Sequence, residues 1–136
     1  MDFWADFLGM LGDLALAMPS GQPPLAKNIE AARSKQWVLL VMAPTPSSKQ
    51  PTFQEQKKLL GAAVAGLRER DVLVIYRLHG ELLPHEEMYL HQHYGLRLKY
   101  FEFVLIGREG TVKLRSTHLL EPEALFDNID RMSAST

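Results

Sequence analysis

With 136 residues, 46% of them apolar and 23% charged, the chain has the size and make-up of one conventionally packed domain that needs no metal or disulfide support. A formal net charge of −1 without any basic cluster excludes electrostatic capture of nucleic acid, and the composition excludes a membrane-spanning run. Cysteine is absent, which removes thiol catalysis, disulfides and thiolate metal sites together but leaves the compartment open.

At a helical step of roughly 100° per residue, Phe3, Phe7, Met10, Leu11, Leu14 and Met18 fall on one arc, widened by Trp4, Leu8 and Ala15. Asp2, Asp6 and Asp13 lie opposite. The pattern predicts an amphipathic helix whose apolar stripe needs cover from its own domain, from a second copy of the chain in a homodimer, or from another protein partner. Ala15-Leu16-Ala17 resembles an export cleavage site, but the three aspartates and the lack of a preceding Lys or Arg are the wrong flanks, so a cytoplasmic location is expected. The turn formers of residues 19–24 end this helix, and Leu25, Ile29 and Ala32 mark a short second one running to about Arg33. Residues 1–34 thus read as an N-terminal helical extension of a domain spanning 35–133.

Trp37-Val-Leu-Leu-Val-Met42 is an apolar run suited to a strand covered on both faces. After a nine-residue loop, Thr52 and Glu55 have the spacing of a capping box and predict a helix from near Phe53 to near Arg70. Its apolar side is Phe53, Leu60, Val64 and Leu67, with Gln54, Lys57, Lys58 and Arg68 toward solvent. Val72–Tyr76 is a second strand, parallel to the first in a βαβ unit. Pro84, Glu86, Glu87 and Gly95 punctuate a short helix at its two ends. Phe103–Ile106 and Thr111–Arg115 flank Gly107-Arg-Glu-Gly110 as an antiparallel hairpin. Pro122 opens a last helix with Leu125, Phe126, Ile129 and Met132 inward, and residues 133–136 read as a frayed tail. The order β-α-β-α-β-β-α predicts an α/β domain of thioredoxin-like type, a mixed four-stranded sheet with helices on both faces.

Val38-Leu-Leu-Val-Met-Ala-Pro44, Gln54 and Gln56, Leu67-Arg-Glu-Arg-Asp71 and above all Val104-Leu-Ile-Gly-Arg-Glu-Gly-Thr-Val-Lys-Leu-Arg-Ser116 carry a family resemblance, with Leu125-Phe126 and Ile129-Asp130-Arg-Met132 after them. Over about residues 34 to 132 the chain resembles an uncharacterised thioredoxin-like family of small bacterial proteins. A related domain of unknown function occurs in extracellular sushi-repeat-containing proteins. The resemblance implies the fold and brings no catalytic residues with it.

Thioredoxin-type chemistry needs a thiolate near a helix N-terminus, usually with a second cysteine three residues on. Here the loop after the first strand offers Thr45, Ser47, Ser48, Lys49 and Thr52 instead, and its two serines are adjacent. The proline that thioredoxin-like proteins carry in cis before the third strand is also missing, since Tyr94–Ile106 holds none. Those five residues around a helix start are the candidate binding set for a small anion or ligand carboxylate. No G-x-S-x-G elbow supports a serine nucleophile. Four of the five histidines fall between His79 and His93, but His85 and His93 would lie two helical turns apart, roughly 12 Å at about 1.5 Å per residue, too far to share a zinc ion. No metal or cofactor is therefore expected. Lys113 and Arg115 alternate on the last strand and, with Arg77, outline a modest basic patch. The expected function is that of a redox-inactive binding or interaction module, the alternative being an anion- or small-molecule-binding protein or non-redox enzyme using the loop 43–52.

Overall fold

The computed structural model describes residues 25–32 and 34–134, so the expectations for the first helix, the turn after it, Arg33 and the last two residues lie outside the described residues. Contacts divide the chain into two units, Met1–Ala31 and Ala32–Thr136. Helix α1 (Leu25–Ala32), all but its last residue in the first unit, buries Leu25 and Ile29 at helical spacing, as the periodicity predicts.

In the second unit, β1 (Trp37–Ala43) is buried along its whole length. It is followed by α2 (Pro51–Ala62), α3 (Val64–Glu69), β2 (Val72–Leu78), α4 (Pro84–Tyr94), β3 (Glu102–Ile106), β4 (Val112–Ser116) and α5 (Pro122–Ala134). The sheet order is β2-β1-β3-β4. β1 runs parallel to β2, with Met42 opposite Arg77, and antiparallel to β3, with Met42 opposite Glu102. β3 and β4 form the antiparallel hairpin.

Because strand side chains alternate, Trp37, Leu39, Val41 and Ala43 share one face with Phe103 and Leu105. That face forms the main core with Phe53 and Leu60 of α2, Leu67 of α3, and Leu125 and Ile129 of α5. Helix α4 ends over the opposite face. Gly95 closes that helix in the left-handed conformation at φ 70°, and a Cβ there would sit 3.1 Å from Nη1 of Arg115. Arg115 pairs with Val104, so the end of α4 lies over the face that carries Val104 and Glu102.

Several local expectations change. Helix α2 begins at Pro51, with Gln50 as an N-cap that makes no side-chain bond, so the Thr52–Glu55 capping box does not form. The physical reason is that proline at the first position has φ already fixed and no N–H to satisfy, which leaves Thr52 inside the first turn. The expected single helix breaks at Ala63, after the small residues Gly61 and Ala62, and resumes as α3. The break rotates Val64 outward, leaving it 47% exposed, while Gln56 turns inward and is fully buried. Helix α5 extends through Ser133 and Ala134, beyond the expected fraying point.

Gln56 lies in the core because it finds a complete partner. Its Nε2 donates to the Leu120 carbonyl at 2.8 Å, and its Oε1 accepts the Leu120 N–H at 2.7 Å. One side chain thereby satisfies both main-chain groups of the residue that leads into α5. On the surface, Arg70 closes α3 against α5, donating to both carboxylate oxygens of Asp130 at 2.9 and 3.0 Å and lying 4.3 Å from the Phe126 ring centre.

Candidate functional site

The connection leaving β1 passes through α2 and α3 on the main-core face, whereas the one leaving β2 passes through α4 on the other. Connections that diverge in this way leave a crevice at the carboxyl ends of the two strands. In this protein the crevice is bridged: Thr45 Oγ1 accepts the Gly80 N–H at 2.7 Å. A side chain at Gly80 would collide with that hydroxyl, since its Cβ would fall 2.5 Å away.

The five candidate loop residues are placed as follows. Thr45 is exposed and faces Gly80. Its peptide bond to Pro46 is cis, so the one cis proline among the described residues lies in this loop rather than before β3. Ser47, Ser48 and Lys49 form a single 3₁₀ turn, with Ser48 and Lys49 exposed. Thr52 is half-buried in the first turn of α2.

A second polar group lies on the α4 face, at the same end of the sheet. Arg77, Met42 and Glu102 form one cross-strand row on β2, β1 and β3. Arg115 enters from one row further in. Arg77 donates to the Tyr76 carbonyl at 2.9 Å, and burial holds its guanidinium below the usual arginine range against the opposing pull of Glu81 and Glu86. Burial likewise depresses His79 below the usual histidine range, with Glu102 and Glu87 pulling the other way. Its Nε2 is buried without a hydrogen-bond partner among the described residues.

The Glu102 side chain is only 2% exposed. Its Oε1 accepts the Arg97 N–H at 3.4 Å, a long bond. Its Oε2 has no hydrogen-bond partner among the described residues; Arg115 Nε stands 3.8 Å away and Arg97 Nη2 4.0 Å. Beside this cluster, α4 and residues 96–99 enclose an open groove of about 600 Å³, lined by Glu87, Met88, Leu96, Arg97, Leu98 and Lys99 among others.

The sequence pattern places Arg77, Lys113 and Arg115 together, and the structure separates them. Arg77 and Arg115 share a face, but a bulge in the β3–β4 pairing displaces Lys113, which pairs with Glu109 of its own hairpin. Glu102 is the residue that sequence patterning passed over. Its signal is a single acid inside the apolar run Tyr100-Phe-Glu-Phe-Val-Leu-Ile106. His85, His91 and His93 are exposed on α4, and His93 stacks on Tyr89 with ring centres 4.3 Å apart. Among the described residues no cluster of three or more His, Asp or Glu could hold a metal ion, and no helix is long and apolar enough to cross a membrane.

Strand order, the parallel β1–β2 pair and helices on both faces define this molecule as a thioredoxin-like α/β domain, and solved structures agree. The reduced 2-Cys peroxiredoxin of Plasmodium vivax superposes with a TM-score of 0.53 at 13% identity, over 79% of this chain and 83% of that one. The mitochondrial 2-Cys peroxiredoxin of Plasmodium falciparum gives 0.52 at 8% identity, over 77% and 80%. The apo form of Trgpx gives 0.50 at 20% identity, over 76% and 83%. At these identities the likeness is one of fold alone. No curated protein matches the chain. Residues 28–136 match the domain of unknown function DUF4174, and the chain belongs to that family.

Proposed function

We propose that this chain is a binding module on a thioredoxin-like scaffold, working without redox chemistry of its own. The observation that carries this reading is the carboxyl end of β1. The scaffold is intact there, yet the strand runs into Ala43-Pro44-Thr45, the loop is tied to Gly80, and the chain has no cysteine. Disulfide exchange begins with thiolate attack, for which a serine or threonine hydroxyl is no substitute.

The reading gives the binding role to the end of the sheet. The loop 43–52, with Thr45, Ser47, Ser48, Lys49 and Thr52, offers hydroxyls and one ammonium to a small anion. The sequence pattern of residues 1–18 adds a contact for a protein partner or a second copy, as an extension to the domain 35–133. Kinship with small bacterial proteins and with a domain of sushi-repeat proteins belongs to the same reading and rests on the Val104–Ser116 segment.

The full chain, assayed for thiol-dependent peroxide consumption and for disulfide reduction, is expected to match the buffer rate; turnover by the chain would overturn the reading. Light scattering with and without residues 1–18 tests the partner contact. A drop in mass beyond that of the deleted segment supports self-association, and an unchanged, well-folded monomer removes the segment as an essential interface.

A further inference from the structure

We propose that Arg97, Glu102 and Arg115 form a site for a small oxyanion that brings its own O–H group, of the class of hydrogen phosphate or a 2-hydroxycarboxylate. This deepens the reading of the chain as a non-redox binding module. The starting point is Glu102 Oε2, an acceptor buried without a donor. Buried carboxylates in folded proteins are paired and hydrogen-bonded, so an orphan oxygen calls for a partner that is missing.

The two guanidiniums do not fill that role. At 3.8 and 4.0 Å from Oε2 they supply charge, but both stand beyond the roughly 2.7–3.2 Å of an N–H···O bond. Neither guanidinium makes a hydrogen bond among the described residues, so their planar N–H forks remain available. The arrangement is also built rather than incidental. Gly95 has no Cβ where Arg115 passes, and Arg97 is held by its own N–H on Glu102 Oε1.

Charge and donor count together define the ligand. A cation would meet two arginines, and an anion without a proton, such as sulfate or acetate, would set its lone pairs against those of Oε2. An oxyanion with an O–H donates to Oε2 and accepts from the guanidiniums, which satisfies every group at once. Approach is from the arginine side: Arg97 lines the α4 groove and is 58% exposed, Arg115 is 36% exposed, and Glu102 lies buried beside them, outside the groove lining.

Calorimetric titration of the full chain near neutral pH and at constant ionic strength, with inorganic phosphate, glycolate, sulfate and acetate, tests the site. Phosphate is expected to bind roughly tenfold or more tightly than sulfate, or glycolate than acetate, because only the first of each pair donates to Oε2. Preference within the phosphate pair assigns a tetrahedral ligand, and preference within the glycolate pair a hydroxy acid. Glu102→Gln is expected to bring each pair within about twofold, and Arg115→Lys, at a more exposed position, to weaken the preferred ligand without equalising the pair. Equal binding of the members of both pairs by the unmodified chain, or no binding of any, overturns the site. Such a failure leaves the non-redox reading standing, since that reading falls only on peroxide or disulfide turnover.

Discussion

Gln56→Leu is the substitution that most directly tests how the second unit is held together. The side chain is fully buried and makes two bonds, of 2.7 and 2.8 Å, to a single backbone residue 64 positions away. Leucine fills nearly the same space, so little cavity energy enters. What it leaves behind are the N–H and C=O of Leu120, which is 6% exposed, with no partner in the core. Each of the two orphaned buried groups costs about 1–3 kcal/mol, and the better burial of leucine returns about 1 kcal/mol, giving a net loss of about 1–5 kcal/mol.

For a domain of this size that corresponds to a fall of roughly 4–20 °C in Tm, against a stability margin of about 5–15 kcal/mol. Urea unfolding followed by tryptophan fluorescence measures it, provided the slope with denaturant stays constant. Gln56→Glu separates the two bonds, because it keeps the acceptor for the Leu120 N–H and turns a carboxylate oxygen toward the Leu120 carbonyl. It should cost at least as much as leucine at neutral pH and recover on acidification, when the carboxyl regains a donor. A Gln56→Leu protein within about 0.5 kcal/mol of the unmodified chain would refute the clamp.

Gly95→Ala should cost about 1–2 kcal/mol from the left-handed backbone alone, and more through displacement of Arg115; thermal unfolding reads it, and a neutral substitution would deny that close approach. His79, held below its ordinary range by burial, refuses a proton that the unfolded chain takes near pH 6.5, so stability should decline as pH falls through that value. His79→Gln should flatten that decline in urea midpoints, and an unchanged slope would assign it to other groups. Asp130 is held below the usual carboxylate range by its hydrogen bonds to Arg70, so the pair stabilises above the unfolded value and is lost as pH falls through the lower folded one. Asp130→Asn should therefore lower stability at neutral pH and shallow the acid limb below about pH 4, so that urea midpoints of the two proteins converge in acid.

The fold was legible wherever a local rule and the tertiary structure agree. Trp37–Met42 could only be a covered strand, Pro84 and Gly95 punctuated α4 at both ends, and the Gly107–Gly110 turn set the hairpin. The departures came where two local signals competed. Thr52 and Pro51 both announce a helix start, and the proline wins because its fixed φ costs nothing at the first position. Val64 fits the helical period, but the break at Ala63 resets that period, and no single residue type marks such a break. The α4-face cluster was less legible still. Arg77, Glu102 and Arg115 come to one sheet face only through strand register, and the bulge that removes Lys113 from that face arises from pairing that periodicity does not encode.

Glu102 is difficult to explain by stability. A carboxylate with one long hydrogen bond and 2% exposure costs the fold desolvation that the two distant guanidiniums return only in part. Its neighbours in sequence, Phe101 and Phe103, point to the main core, so an aliphatic residue at 102 would extend the apolar face of Val104 and Ile106 without disturbing them. The two arginines are partly exposed and would remain hydrated after such a change. Glu102→Leu is therefore expected to be neutral or stabilising by about 1–3 kcal/mol in urea unfolding, as replacements of buried charge often are. A protein stabilised by that change while losing phosphate or glycolate binding would place the acid on the side of function. A loss of more than about 2 kcal/mol would instead make the Arg97–Glu102–Arg115 group a structural tie between β3, β4 and the end of α4.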